Sequence, residues 1–493
     1  MARIVTVDEP LGLYDYESYA HLAPAVQRLR SEAAPVVSAL RGHRVWMINS
    51  TEKGGGVAEM LPRMVSIMRE LGVESEWAVI ETDRQDFFAF TKRMHNLIHG
   101  VGDSSITGDE RRAYEEVNRA NVGRLTEWIH DGDLVVVHDP QPMALAGMIR
   151  ERRNVRTVWR CHIGLDRDLP QTRAAWEFLE PYSRDYDDSV FTAVEYIPGY
   201  LSGRAVVVHP GIDPLSHKNR DLTAHKLQGI LCNSRLAVEH APVLTPPFAE
   251  TAKRLSPAGE WVAATEPQEI GLLYRPIVAQ ISRWDRLKGF GPLLDGFVRL
   301  KRRGAGPANT SVHAHRLQIA RLVLAGPDPE SVTDDPEGRE VLEELKAKYV
   351  ALPPDLQQDI ALVALPMGSR KQNALMVNAI QRCATVMVQN SLQEGFGLTV
   401  TEALWKRSAV VGSRAVGIRQ QIRDGVDGKL VGDPSNAEEI AQALDEVLRD
   451  PKQRESFGAS GQRRVYDEFL VFSQLRRWFR IFGDLARRAR NGS

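Results

Sequence analysis

The chain has 493 residues, 43% of them hydrophobic and 26% charged, with a formal net charge of −1. This composition fits a globular protein with room for two or three domains, and the near-neutral balance carries no electrostatic footprint for nucleic acid. No apolar run approaches the roughly 20 residues of a membrane span, and the N-terminus lacks the apolar stretch of a signal peptide. Cys161, Cys232 and Cys383 lie far apart without metal-type spacing, which suits a reducing, cytoplasmic setting better than a disulfide scaffold.

In chain order, residues 25–40 show a helical period in which Pro35 is an expected break or kink. From Arg44 onward short β-rich runs alternate with helical periods. "RVWMIN" precedes a helix over 57–71. "EWAVIE", "DLVVVHD" and "VRTVWRC" follow, separated by further helical stretches. Residues 229–273 hold Pro242, Pro246, Pro247, Pro257 and Pro267 with weak periodicity, and read as a linker or insertion with little regular structure. The alternation then restarts. "PIVAQIS", "ARLVLAG", "DIALVAL", "ATVMVQN", "SAVVGS" and "GKLVGD" are strands, with helices over 293–300, 340–349 and 371–382. The tail "QLRRWFRIFGDLARRAR" is a basic amphipathic helix, expected to dock on its own protein rather than on a membrane surface. The expectation is therefore α/β: an N-terminal doubly wound domain over 1–228, the linker 229–273, a second over 274–464, and a helix over 465–493 packing back on the first.

In parallel α/β sheets, ligands collect beyond the carboxyl ends of the strands, and several residues of interest fall there. "NSTEKGGGVAEM" puts three glycines between a strand and a helix. Taken alone, this loop reads equally as a tight turn or as a backbone surface open to an anion or sugar. Arg283 and Lys288, in "QISRWDRLKGF", follow a strand and suit a diphosphate whose charge grows as it leaves, although taken alone this pattern reads first as a solvated basic turn. The most informative stretch is "NSLQEGFGLTVTEALW", where Glu394 and Glu402 flank Gly395, Phe396 and Gly397. A helix starting near Leu398 exposes the N–H groups of Gly397, Leu398 and Thr399 to a phosphate. Glu402 then sits about one turn in, able to accept from a ribose diol, while Glu394 precedes the turn and can accept from sugar hydroxyls. His162 and Asp139 each follow a strand; a lone histidine there is more often structural, and Asp139 reads as easily as a turn former as a hydroxyl acceptor. The triplet Asp185–Asp187 has a metal-like spacing but no clean preceding strand, so it reads as a surface loop and no metal is invoked.

The segment "EGFGLTVTEALW" resembles the paired-glutamate motif of the retaining family-4 glycosyltransferases, and "SRWDRLKG" resembles their Arg/Lys loop. More narrowly, "INSTEKGGGVAEML", "FFAFTKRMHNLIHG", "VVHDPQP", "WRCHIGLD" and "PGIDPLSHKN" resemble the trehalose synthases that join a nucleotide-activated glucose to free glucose. The resemblance runs from about residue 13 to 469. It implies the GT-B fold, two Rossmann-like domains facing across a cleft. It implies a hexosyltransferase whose donor is a UDP-, ADP- or GDP-glucose, with no cofactor needed for the chemistry. By position it gives Gly55 and Gly56 the approach of donor sugar and diphosphate, and Arg283 and Lys288 the diphosphate. Glu402 takes the ribose, Glu394 the donor sugar hydroxyls, and His162 the sugar near its reacting carbon. His95, Asn96, Asp139 and Gln141 line the acceptor pocket. Alternatives within the resemblance are a trehalose phosphorylase, a related transferase with another acceptor and, last, a non-catalytic sugar-binding regulator. Partners are small sugars, and the resemblance admits a homodimer. Residues 229–273 look longer than the family pattern requires.

Overall fold

The computed structural model describes residues 1–52, 55–238, 247–266, 268–304, 311–329 and 336–491. The chain divides into two compact units, Met1–Asp213 with Glu468–Ser493, and Pro214–Asp467.

The first unit is built on seven strands: β1 Arg3–Ile4, β2 Val45–Asn49, β3 Ser75–Val79, β4 Leu134–His138, β5 Arg156–Cys161, β6 Asp188–Phe191 and β7 Ala205–Val207. Their order is β1-β3-β2-β4-β5-β6-β7, all parallel except the edge strand β1. Helices cover a parallel sheet on both faces, so its central strands are near-continuous apolar runs. β2 and β4 are buried at every position. The strand order reverses between β2 and β4, which marks the place where such sheets bind ligands.

The helix Ala23–Ala39 runs through Pro35 without ending there. Pro35 lies on the exposed side, where the carbonyl it frees can turn to water. Against this helix packs the last one, Val471–Asn491. Its Leu475, Trp478, Phe479 and Phe482 are buried, and Glu32 takes ion pairs from Arg476 and Arg480. The apolar stripe of this basic helix is therefore covered by protein. Asp187, from the triplet read as a surface loop, accepts a hydrogen bond from the Thr157 backbone N–H at 2.8 Å and latches β5 to the start of β6. Among the described residues, no group of three His, Cys, Asp or Glu is placed to hold a metal, and no helix is long and apolar enough to cross a membrane.

The second unit holds β8 Lys253–Leu255, β9 Trp261–Ala263, β10 Ile277–Ile281, β11 Arg321–Pro327, β12 Ile360–Leu365, β13 Val386–Gln389, β14 Ala409–Ser413 and β15 Lys429–Val431. Their order is β15-β14-β13-β10-β11-β12-β8-β9. The six strands from β10 to β15 are parallel in the doubly wound order of a dinucleotide-binding sheet, with the switch between β10 and β13. β8 and β9 come from the stretch expected to be linker. They are too short and too mixed to announce themselves, and they form because they cap the edge of β12, whose backbone groups would otherwise stay unpaired. Residues 239–246 and Pro267 of that stretch, and Gly54 of the glycine run, lie outside the described residues.

Candidate active site

Each sheet presents a cluster at the carboxyl ends of its strands. In the second unit, β10 delivers a loop containing Arg283 and a single 3-10 turn, Arg286–Lys288. β13 delivers the loop from Asn390 into the helix Leu398–Trp405. The two loops are tied backbone to backbone: the Leu392 N–H donates to Leu287 O at 2.7 Å. Gly289, at φ 65°, lies so close that a β-carbon would collide with the Asn390 carbonyl oxygen. This contact sets Lys288 beside Glu394, with Nζ 2.8 Å from Oε2. The same carboxylate oxygen accepts from Ser391 Oγ at 2.9 Å and Gln389 Nε2 at 3.3 Å.

Gly397 caps the helix in the left-handed region, φ 83°, where a β-carbon would also press on Glu394 Cγ at 2.9 Å. The turn is braced from behind by Gln421, whose Nε2 donates to the carbonyls of Phe396 and Gly397. The first-turn N–H groups of Leu398 and Thr399 have no earlier helical carbonyl to bond, so they suit an anion. Glu402 is only 5% exposed. Its Oε2 accepts from Gln381 Nε2 at 3.1 Å, and its Oε1 lies 3.6 Å from Lys218 Nζ. Beneath it, Lys406 donates to Asn219 Oδ1 and to the Glu402 carbonyl, and burial lowers its pKa to about 7. Arg283 behaves differently from Lys288. Its side chain is 71% exposed and lies 3.8 Å from the Asp285 carboxylate.

In the first unit, Gly55 and Gly56 open the helix Gly55–Glu70 after β2. Asp139 follows β4 at φ 65°, a strained conformation for a residue with a side chain. Its Oδ1 accepts the His162 backbone N–H at 3.0 Å, joining the ends of β4 and β5. His138 Nδ1 lies 3.1 Å from His162 Nε2, with the rings stacked at 13°. Below them Arg160 is fully buried, donating from Nη2 to Thr192 Oγ1. Burial and this guanidinium push His138 down to about 3 and His162 well below the usual imidazole range. Burial pushes Asp139 up to about 6, against the opposing pull of the His162 N–H and of Arg160. Gln141 Oε1 is buried without a hydrogen-bond partner among the described residues, while its carbonyl accepts from Asn118 Nδ2. His95 and Asn96 sit on a separate helix, Gln85–Ile98, where the His95 ring lies 4.9 Å from that of His99.

The structure thus unites Lys288 with Glu394 and Asp139 with His162. The partners Gln381, Lys218 and His138 escaped the sequence reading. Gln381 is a polar residue on a buried helical face. Lys218 lies in "PGIDPLSHKN", and His138 directly precedes Asp139, yet neither position carries a periodic signal of its own.

Residues 265–464 match the family described as "Glycosyl transferases group 1", and residues 47–198 match "Trehalose synthase, N-terminal domain". An α,α-trehalose 6-phosphate synthase structure from Burkholderia multivorans aligns with a TM-score of 0.66 at 16% identity, covering 91% of this chain and 98% of that one. Fold and matches together define a GT-B glycosyltransferase. A trehalose synthase of Rubrobacter xylanophilus is 33% identical over 96% of this chain and 97% of its own length. A trehalose phosphorylase of Grifola frondosa is more distant, 24% identical over 88% of this chain and 56% of its own. The chain belongs to the trehalose synthase family, and it is a hexosyltransferase.

Proposed function

We propose that this protein moves glucose from a nucleotide-glucose to free glucose, with retention, to make trehalose, and that it needs no cofactor for the chemistry. The observation that carries this reading is the Lys288–Glu394 contact at 2.8 Å, held at the switch point of the second sheet beside the start of the helix at Leu398. A cation, a sugar-accepting carboxylate and a helix N-terminus in one place match a diphosphate-linked sugar. Lys288, Arg283 and the N–H groups of Gly397, Leu398 and Thr399 take the diphosphate. Glu394 takes the donor sugar hydroxyls, and Glu402 the ribose. Gly55 and Gly56 let backbone approach the donor. His162 contacts the donor sugar, while Asp139, Gln141, His95 and Asn96 serve the acceptor.

The bond from the sugar carbon to the leaving phosphate breaks as the bond to the acceptor oxygen forms on the same face. The acceptor's proton passes to the leaving phosphate oxygen. Catalysis then rests on stabilising the leaving charge and aligning the acceptor. A phosphorylase has no ribose to hold, and a buried Glu402 fixed by Gln381 and Lys218 favours the transferase.

The test is purified protein with free glucose and UDP-, ADP- or GDP-glucose, the disaccharide being identified by NMR. An α,α-1,1 product with at least one donor is the expected outcome. Release of glucose 1-phosphate from trehalose and phosphate, without nucleotide-dependent synthesis, would overturn the reading in favour of phosphorolysis. A sugar-binding regulator would show neither reaction. A cytoplasmic location, sugars as the partners and a homodimeric state belong to the same reading.

A further inference from the structure

The two imidazoles at the end of the first sheet form a chain that terminates on sulfur. His138 shares one short contact with His162, from Nδ1 to Nε2 at 3.1 Å, and its other nitrogen, Nε2, lies 3.5 Å from Met47 Sδ. His138 is 2% exposed, and Met47 is buried in β2. A thioether has no proton to give and can only accept. One neutral tautomer of His138 points its N–H at the sulfur. The other sets a nitrogen lone pair against the sulfur lone pairs in a buried site, where the mismatch is not relieved by solvent. The favoured tautomer leaves His138 Nδ1 as an acceptor, so the proton between the rings must sit on His162 Nε2. A neutral imidazole carries only one N–H. His162 Nδ1 is therefore left with a lone pair and no proton. Burial and the guanidinium of Arg160 both disfavour the doubly protonated ring.

We infer that Met47 and His138 are positioning residues that lock His162 as the Nε2–H tautomer, so that its Nδ1 accepts a hydrogen bond from a neutral sugar hydroxyl and repels an anionic oxygen. The inference rests on the transferase reading of the site and deepens it. It says which class of ligand atom faces His162: a hydroxyl of the sugar, and not an oxygen of the diphosphate. Asp139 completes the arrangement by holding the His162 backbone N–H at 3.0 Å, which fixes the root of the ring. The sulfur at the end of the chain gives Met47 a polar duty in addition to its place in the core. Its replacement by leucine keeps the volume and removes the acceptor.

The experiment is 15N NMR of histidine-labelled full-length protein, free of substrate at neutral pH, with His162 assigned by its loss in His162→Asn. The expected spectrum has a protonated Nε2 and an unprotonated Nδ1. A protonated Nδ1, or a doubly protonated ring, would overturn the inference. In His138→Leu, His162 is expected to spread over both tautomers and kcat to fall about 10- to 100-fold, the usual cost of losing an orienting partner. The donor KM should stay within about threefold, as for a group that acts on the reacting complex rather than on binding. His138→Asn places an accepting oxygen near the position of Nδ1 and is expected to recover most of kcat. Equal losses in the Leu and Asn variants with an unchanged His162 spectrum would overturn the inference, and the wild-type spectrum decides it if the Leu variant does not fold. The spectrum needs no substrate, so absence of trehalose synthesis would sink the transfer reading alone, and a wrong tautomer with intact synthesis would sink this inference alone.

Discussion

The two clusters share a place at the carboxyl ends of parallel strands and differ in their electrostatics. At the end of β4 and β5, burial drives His138 and His162 toward neutrality, and Asp139 is pushed up to about 6. At the end of β10 and β13, Lys288 pairs with Glu394, and Glu402 lies beside Lys218 above Lys406. Parallel sheets fix where a ligand site forms, while the side chains at the strand ends decide what it binds. A cluster desolvated into neutrality suits hydroxyl-rich sugar. A cluster whose charges are paired suits the charged half of a nucleotide sugar. On the proposed reading the contrast is a division of labour, and it can be attacked from either side.

The hardest blow is Gly56→Val. If backbone at the start of the helix Gly55–Glu70 must come close to the donor, a branched side chain should abolish transfer while circular dichroism and thermal unfolding stay unchanged. An unchanged turnover number would remove the glycine run from the site. Next comes Lys288→Ala, which deletes the cation beside a Glu394 carboxylate that also accepts from Ser391 and Gln389. Transfer at saturating donor should fall roughly 10²- to 10³-fold, as when one oxyanion-stabilising donor is lost. A loss below tenfold would mean that the second cluster is not where the leaving charge develops. A smaller effect is expected from Gln381→Leu, which strips one hydrogen bond from the buried Glu402 carboxylate. The donor KM should rise about tenfold, equivalent to about 1.4 kcal/mol, with kcat little changed. A pure kcat defect would argue against a ribose role for Glu402.

The mildest test sharpens the first cluster through pH. An unfolded histidine takes its proton near pH 6.5, whereas His138 and His162 resist protonation in the folded chain. The unfolded state therefore binds more protons below pH 6.5, and stability falls as pH drops toward about 3, by up to roughly 1.4 kcal/mol per pH unit for each histidine. Asp139 works the other way between its ordinary carboxyl range and about 6, since its folded form holds a proton that the unfolded form releases. Two histidines against one carboxyl leave a net loss on acidification. Urea unfolding between pH 7 and 4 should show that slope in the wild type and a shallower one in His138→Leu. Identical slopes would mean that these rings are not buried as described.

The strands were legible where the sheet buries both faces, because "VWMIN", "LVVVH" and "IALVAL" admit little else. β6 to β9 were not, since "DSVF", "AVV", "KRL" and "WVA" are short edge or near-edge pieces whose pairing is decided by the neighbour they cover. The same logic governs the site. Glu394, Gly397 and Glu402 are compact in sequence and announce a turn followed by a helix. Lys218 and Gln381 reach Glu402 only through tertiary packing. A histidine ending a buried strand, such as His138, has no periodic signal of its own, and only its contacts with His162 and Met47 give it a role. Pro35 shows the opposite case: it does not end its helix, and it lies on the exposed side.

The order in which the parts leave the ribosome follows from the helix Val471–Asn491 belonging to the first unit. Pro214–Asp467 is one uninterrupted stretch and can complete its own fold during synthesis. The earlier-made portion must wait, with its helix Ala23–Ala39 lacking the cover that Val471–Asn491 later brings. Nascent chains stalled between these two events should therefore be the species that chaperones hold.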